Sequence, residues 1–201
     1  LVDAENTLRT NVIADLLESS QIVLREGGGV VLVTSGAVKL GRSILGDAGA
    51  NRAVAAAVGQ MKLFAAYVRE AEKKNIRVAE ILLSRPHLVR RDQFLNLQKT
   101  VCALFEKQIV PIVNENDALV SDSDWSFGDN DNLAAALAIA FQAKKLIIAT
   151  HIDGLFDSDP AVNPKAKLIR EVKDINEELF KFSSGNTSSG GRGGMISKLK
   201  A

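Results

Sequence analysis

The sequence predicts an α/β domain in which helices cover both faces of a mostly parallel sheet. Short runs of branched apolar residues alternate with longer stretches of helical periodicity, and small or polar residues follow the apolar runs directly. Strand, helix and strand repeated in this way call for right-handed crossovers, which make neighbouring strands parallel. With 201 residues, 46% apolar and 24% charged, the chain is long enough to bury one core.

Taken in order, Thr7 is a candidate cap for a helix whose apolar stripe is Leu8, Ile13, Leu16, Leu17 and Leu24, ended by Gly27-Gly28-Gly29. Val30 to Thr34 is apolar on both faces, as a buried strand would be. An alanine-rich helix is expected from Arg52 to Lys74, a strand from Val78 to Leu83, and a helix from Asp92 to Lys107. A strand from Ile109 to Val113, a helix from Leu133 to Phe141 and a strand from Lys145 to Ala149 complete the alternation. Neither an interdomain linker nor an internal repeat is visible, so residues 1–201 read as a single domain.

Composition removes several classes of function. A net charge of +1 gives no global electrostatic case for nucleic acid or an anionic membrane as partner. No apolar run approaches the roughly 18 residues of a membrane span. The single cysteine, Cys102, cannot form an internal disulfide, which favours a reducing, cytoplasmic setting. It falls in an apolar helical stretch and is expected to be a packed core thiol.

Ligands of open parallel sheets bind beyond the carboxyl ends of the strands. Thr34 is followed by Ser35-Gly36-Ala37, a hydroxyl and two small residues that let backbone N–H groups approach an anion. Val113 is followed by Asn114-Glu115-Asn116-Asp117, and Ala149 by Thr150-His151-Ile152-Asp153-Gly154. Phe127-Gly128-Asp129-Asn130-Asp131-Asn132 runs straight into an apolar helix, with more polar side chains than capping needs. Each segment alone is ordinary turn chemistry; together they point to a binding site. Ser183 to Gly194 holds only Ser, Gly, Asn, Thr and one Arg, then opens what reads as a helix at Met195. That segment is either a linker or a phosphate-binding loop. It is not a Walker loop, since Gly191-Arg192 stand where Lys and Ser/Thr are required. Counted from Asp122, the aspartates before Leu133 do not fit a calcium hand either. His87, in Ser84-Arg85-Pro86-His87, reads as a loop residue without chemistry.

Five segments occur in the order found in the glutamate 5-kinases of the amino acid kinase superfamily, which the chain resembles over nearly its whole length. They are Thr34 to Val38, Pro111 to Ala118, Phe127 to Ala134, Ile152 to Phe156 with Asp159-Pro160, and Gly193 to Lys198. The resemblance implies a three-layer αβα sandwich around the sheet, the carbamate kinase-like fold. It implies phosphoryl transfer from ATP with Mg2+ to the side-chain carboxylate of L-glutamate, giving L-glutamyl 5-phosphate for proline biosynthesis. By motif, Ser35, Gly36, Ala37, Asp117 and Asn130 would bind glutamate. Thr150, His151, Asp153, Gly154, Phe156, Asp159, Pro160, Gly191, Arg192, Gly193, Gly194, Met195, Ile196, Ser197 and Lys198 would line the ATP site. Lys198 would sit on the transferring phosphoryl group, and Asp131 would orient catalytic lysines. A homo-oligomer and a downstream glutamyl phosphate reductase are the implied partners.

The chain departs from the family pattern in several places. The opening strand with its Val-Lys-x-Gly-Ser motif and the last elements of the kinase domain are expected to lie outside these 201 residues. His151 stands for an aspartate, Arg192 stands for a threonine, and Gly41 to Val58 is short. Three other readings stay open: another superfamily member, the kinase part of a bifunctional pyrroline-5-carboxylate synthase, and a non-catalytic domain sensing glutamate or proline. The Asn114 to Asp117 signature weighs against the first, Arg192 is compatible with the second, and the missing lysine motif supports the third.

Overall fold

Strands β1 (Leu32–Val33), β2 (Arg77–Leu83) and β3 (Ile109–Glu115) form a parallel sheet in the order β1–β3–β2. They belong to a computed structural model that describes residues 1–3, 6–120, 124–150, 152–158, 160, 162–174 and 198–199. The chain divides into two compact units, Leu1–Phe127 and Gly128–Ala201. The parallel sheet lies in the first.

The central strand β3 is paired on both edges and buried from Val110 to Glu115, as its continuous apolar run requires. Helices α1 (Thr10–Arg25) and α3 (Arg52–Lys73) pack on each other and on the sheet, while α5 (Arg91–Glu106) packs on β3, so both faces are covered. The core joins Ile13, Leu17 and Leu24 of α1 to Leu63 and Tyr67 of α3 and to Val110 and Ile112 of β3. This is the α/β arrangement that the sequence predicts.

Local chemistry explains the boundaries. Gly27 holds φ +80°, and the N–H groups of Gly27 and Gly28 reach the carbonyls of Leu24 and Val23, the double bond of a Schellman end. Thr7 is not the cap of α1: Arg9 holds that position, and Thr7 exchanges hydrogen bonds with Asp3 instead. Asn51 does cap α3, its side chain accepting from the N–H groups of Ala53 and Val54.

Between β1 and α3 lies α2 (Ala37–Leu45), to which the sequence reading assigned no element. It crosses α3 backbone to backbone. A Cβ on Gly41 would stand 1.7 Å from the Ala55 oxygen, and one on Gly59 would stand 1.8 Å from the Ala37 oxygen. Two short helices, α4 (Pro86–Val89) and α6 (Asp117–Val120), follow β2 and β3.

Several expectations are corrected. β1 is two residues long and half-buried, because among the described residues of its unit it pairs with β3 alone. Cys102 is exposed: α5 turns Leu97 and Val101 inward, and Cys102 lies about 100° further round. His87 is not an idle loop residue. It sits on α4, and its Nδ1 accepts the Ser84 N–H at 2.9 Å, clamping the turn after β2.

In the second unit, α7 (Asn130–Ala140) begins before the expected Leu133, with Asp129 as its cap. Strands β4 (Leu155–Phe156) and β5 (Leu168–Ile169) pair antiparallel. Lys145 to Ala149 is not a strand, and Ile147 is 80% exposed. The one ladder described in this unit is the β4–β5 hairpin, so among the described residues that run has no strand to pair with. Lys198 and Leu199 are helical. No helix among the described residues is long and apolar enough to cross a membrane.

Candidate active site

Parallel pairing brings the ends of β1 and β3 out side by side, with Val33 opposite Val113 and the Thr34 N–H on the Val113 carbonyl at 2.9 Å. Ser35-Gly36 and Asn114 to Asp117 therefore leave the same edge of the sheet. Thr34 is buried, and the Tyr67 hydroxyl donates to its Oγ1 at 3.0 Å from α3. Burial pushes the Tyr67 phenol above its ordinary value, while the Thr34 bond acts the other way. Ser35 is exposed, Gly36 caps α2 at φ +114°, and Ala37 is buried against Gly59. A left-handed residue at that turn favours glycine, as the sequence provides.

The segment after β3 is fixed by its own side chains. Asn114 donates to Gln60 Oε1 at 2.8 Å and accepts from the Glu115 N–H at 2.9 Å. Gln60 in turn donates to Glu80. The Asn116 N–H reaches the Leu83 carbonyl at 2.6 Å, tying the ends of β3 and β2 together. Asp117 opens α6 and is buried, and its Oδ1 accepts from Arg52 Nε at 3.0 Å and Nη2 at 2.9 Å. Glu115 to Ala118 form the polar end of a cavity of about 650 Å3, whose apolar wall includes Met61, Phe64 and Val68 of α3. Small-molecule sites commonly have this size.

Glu115 is buried and accepts from the Phe127 N–H and from Ser126 Oγ, at 3.1 Å for the latter, which holds the 126–127 turn to the sheet edge. Burial raises its carboxyl above the usual carboxylate range. The bonds from Phe127 and Ser126 oppose that rise, the Asp117 charge adds to it, and the Arg52 charge lowers it. A raised native value means that the folded chain keeps a proton that the unfolded chain has released, so this contribution to stability is full at low pH. It is lost as pH rises from the ordinary carboxylate range through the raised value. Glu115→Gln is expected to flatten this part of the profile, which begins at about pH 4.5 and runs upward. Urea midpoints measured across that range check it, and equal slopes in the two proteins would count against the assignment.

In the second unit, Asp129 caps α7 through the Asn132 N–H at 2.8 Å, so Asn130 and Asp131 fall in the first helical turn. A carboxylate there is favoured by the helix dipole. Asp131 Oδ2 accepts from Lys198 Nζ at 2.7 Å across 67 residues of chain, with both side chains about four-fifths covered. The sequence reading's two catalytic candidates thus form one ion pair. Thr150 and Asp153 are exposed, whereas Gly154, Phe156 and Pro160 are half-buried on the stretch that carries β4. Gly154 holds φ +142°, which a side chain would strain. His151, Asp159 and Gly191, Arg192, Gly193, Gly194, Met195, Ile196 and Ser197 lie outside the described residues.

Residues 3–201 match the Amino acid kinase family. The chain belongs to that family. Among its relatives, the glutamate 5-kinase of Geobacter metallireducens is 41% identical over all of this chain and 55% of its own length. Those of Sodalis glossinidius and Shewanella oneidensis are 40% and 41% identical, covering 94% and 93% of this chain and 53% and 51% of their own lengths. The chain thus spans about half the length of the curated relatives it matches. In this amino acid kinase, sequence reasoning missed Arg52, Gln60 and Tyr67. All three sit on α3, where a helical pattern gave no sign that they reach the strand ends. Only Asn51-Arg52, a capping residue beside a charge, offered a local signal.

Proposed function

We propose that this chain is the kinase part of a glutamate 5-kinase. In this reading it transfers a phosphoryl group from MgATP to the side-chain carboxylate of L-glutamate and yields L-glutamyl 5-phosphate, the first step of proline biosynthesis. The observation that carries it is the Lys198–Asp131 ion pair, which joins two family motifs far apart in the chain. Relatives named glutamate 5-kinase at about 40% identity support the choice of substrate.

The chemistry fits the residues. The substrate already carries its attacking oxygen as a carboxylate, so no strong general base is needed, and catalysis rests on in-line positioning and charge neutralisation. Ser35, Gly36, Ala37, Asp117 and Asn130 hold glutamate, with Asp117 as a charge-assisted acceptor for the substrate ammonium. Lys198 neutralises charge on the transferring group, and Asp131 fixes where its ammonium stands. A lysine held, among the described residues, by a single carboxylate keeps donors for phosphate oxygens, so the pair suits a nucleoside triphosphate. Thr150, His151, Asp153, Gly154, Phe156, Asp159, Pro160 and Gly191 to Ser197 receive the nucleotide. Mg2+ comes with the phosphates of ATP, where it offsets their charge.

We extend the proposal to residues 1–201 as one kinase domain, acting in the cytoplasm as a homo-oligomer that passes its labile product to a glutamyl phosphate reductase. The test uses the full-length product with MgATP, L-glutamate and hydroxylamine. Glutamate-dependent ADP release with hydroxamate formation is the expected result. Glutamate binding without turnover would replace the kinase reading with a sensor, and turnover with another acceptor alone would move the chain to a different branch of the family.

A further inference from the structure

Asp117 is not waiting as a lone carboxylate. Arg52, the first residue of α3, gives both Nε and Nη2 to the same oxygen, Oδ1, at 3.0 and 2.9 Å. Oδ2 of Asp117 and the second terminal nitrogen of Arg52 make no other hydrogen bond among the described residues. The Arg52 side chain is 26% exposed and that of Asp117 is 9% exposed, so the pair is partly desolvated with the guanidinium at its open side. An ion pair that only tied α3 to α6 would satisfy both groups best fork to fork, with two parallel bonds to two oxygens. The observed geometry instead leaves, among the described residues, one acceptor oxygen and one donor nitrogen of this pair unspent.

That pattern is complementary to one chemical group. The ammonium and carboxylate of an α-amino acid leave the same carbon, so their recognising charges must also be adjacent and of opposite sign. From the unused faces of the pair we infer that Arg52 is a further substrate-binding residue, its guanidinium taking the α-carboxylate while Asp117 takes the α-ammonium. This rests on the glutamate reading of the site and adds to it the group that reads the amino-acid head. Arg52 makes the site prefer an amino acid to a simple amine, which Asp117 alone would accept equally well.

The test is steady-state kinetics of the full-length product for wild type, Arg52→Ala, Arg52→Lys, Asp117→Asn and the double variant Arg52→Ala/Asp117→Asn. Arg52→Ala is expected to raise KM for L-glutamate roughly 10- to 100-fold, the loss of a hydrogen-bonded charge, with kcat little changed. Arg52→Lys recovers part of that loss, because a point charge replaces a planar fork. If Arg52 merely positioned Asp117, its removal would add nothing once Asp117 is asparagine. Direct contact instead predicts a further rise of about tenfold in the double variant. KM in Arg52→Ala within threefold of wild type, or no added rise in the double variant, overturns the inference and leaves the kinase reading standing. Wild-type protein without glutamate turnover overturns both. Thermal midpoints and the lysine variant separate misfolding from lost recognition.

Discussion

Lys198→Ala is expected to cut turnover of the full-length product about 100- to 1000-fold while leaving KM for glutamate nearly unchanged. The direction follows from when the charge matters. In the ground state, phosphate charge is shared with Mg2+ and solvent, whereas the departing phosphoryl group needs a cation already in place. Lys198 is held in place in advance, its ammonium 2.7 Å from Asp131 with both side chains largely covered. Asp131→Asn should therefore lower kcat in the same sense but less severely, since the cation remains while its orientation loosens. Lys198→Arg tests the shape of the charge, because a wider planar group does not occupy the place of a compact ammonium. Turnover of Lys198→Ala within tenfold of wild type would remove the ion pair from the mechanism.

Much of this arrangement could be read from the sequence, for identifiable reasons. Helix α3 and strands β2 and β3 were found to within a residue or two because their signals are local: alanine-rich periodicity and β-branched runs. The Gly27 end of α1 was legible because a left-handed C-cap needs glycine. Asp117 and Asp131 stood out because polar groups crowd that strand end and that helix start beyond capping needs, while the roles expected of them came from the family resemblance.

Other features are tertiary and leave little local trace. Helix α2 was missed because its sequence, Ala37-Val38-Lys39-Leu40-Gly41, carries a glycine that weakens helix propensity, and that glycine is there for the crossing with α3. Cys102 was misjudged because type alone suggested burial, whereas the face of α5 is set by Leu97 and Val101. Lys145 to Ala149 has the composition of a buried strand, but a strand is defined by its partner, and composition says nothing of that. Arg52 entered the reading only as the start of α3, because its partner is a carboxylate 65 positions away.

The α2–α3 crossing supplies the other large effect. In an isolated helix, Gly59→Ala would stabilise by about 1 kcal/mol, because alanine is the better helix former. In this fold the added Cβ would stand 1.8 Å from the Ala37 oxygen and 2.5 Å from the Gly41 nitrogen, both backbone atoms that no rotamer change can move. Restoring van der Waals contact would part the helices by about 1.5 Å, opening the packing around Leu40 and Leu63. Overpacking of this kind costs about 3 kcal/mol or more, which exceeds the propensity gain. Gly59→Ala is therefore expected to destabilise by about 2 kcal/mol at least, read as a lower urea midpoint. Gly41→Ala, whose Cβ would stand 1.7 Å from the Ala55 oxygen, should behave alike. Met61→Ala on the same helix is the control: its side chain is 77% exposed, and its removal should stay within about 0.5 kcal/mol. Because Ala37 immediately follows Ser35-Gly36, parting the helices also displaces the proposed glutamate loop. Gly59→Ala should then raise KM for glutamate even at temperatures where the protein stays folded. A Gly59→Ala protein more stable than wild type would mean that propensity wins and that the two helices do not cross at backbone contact.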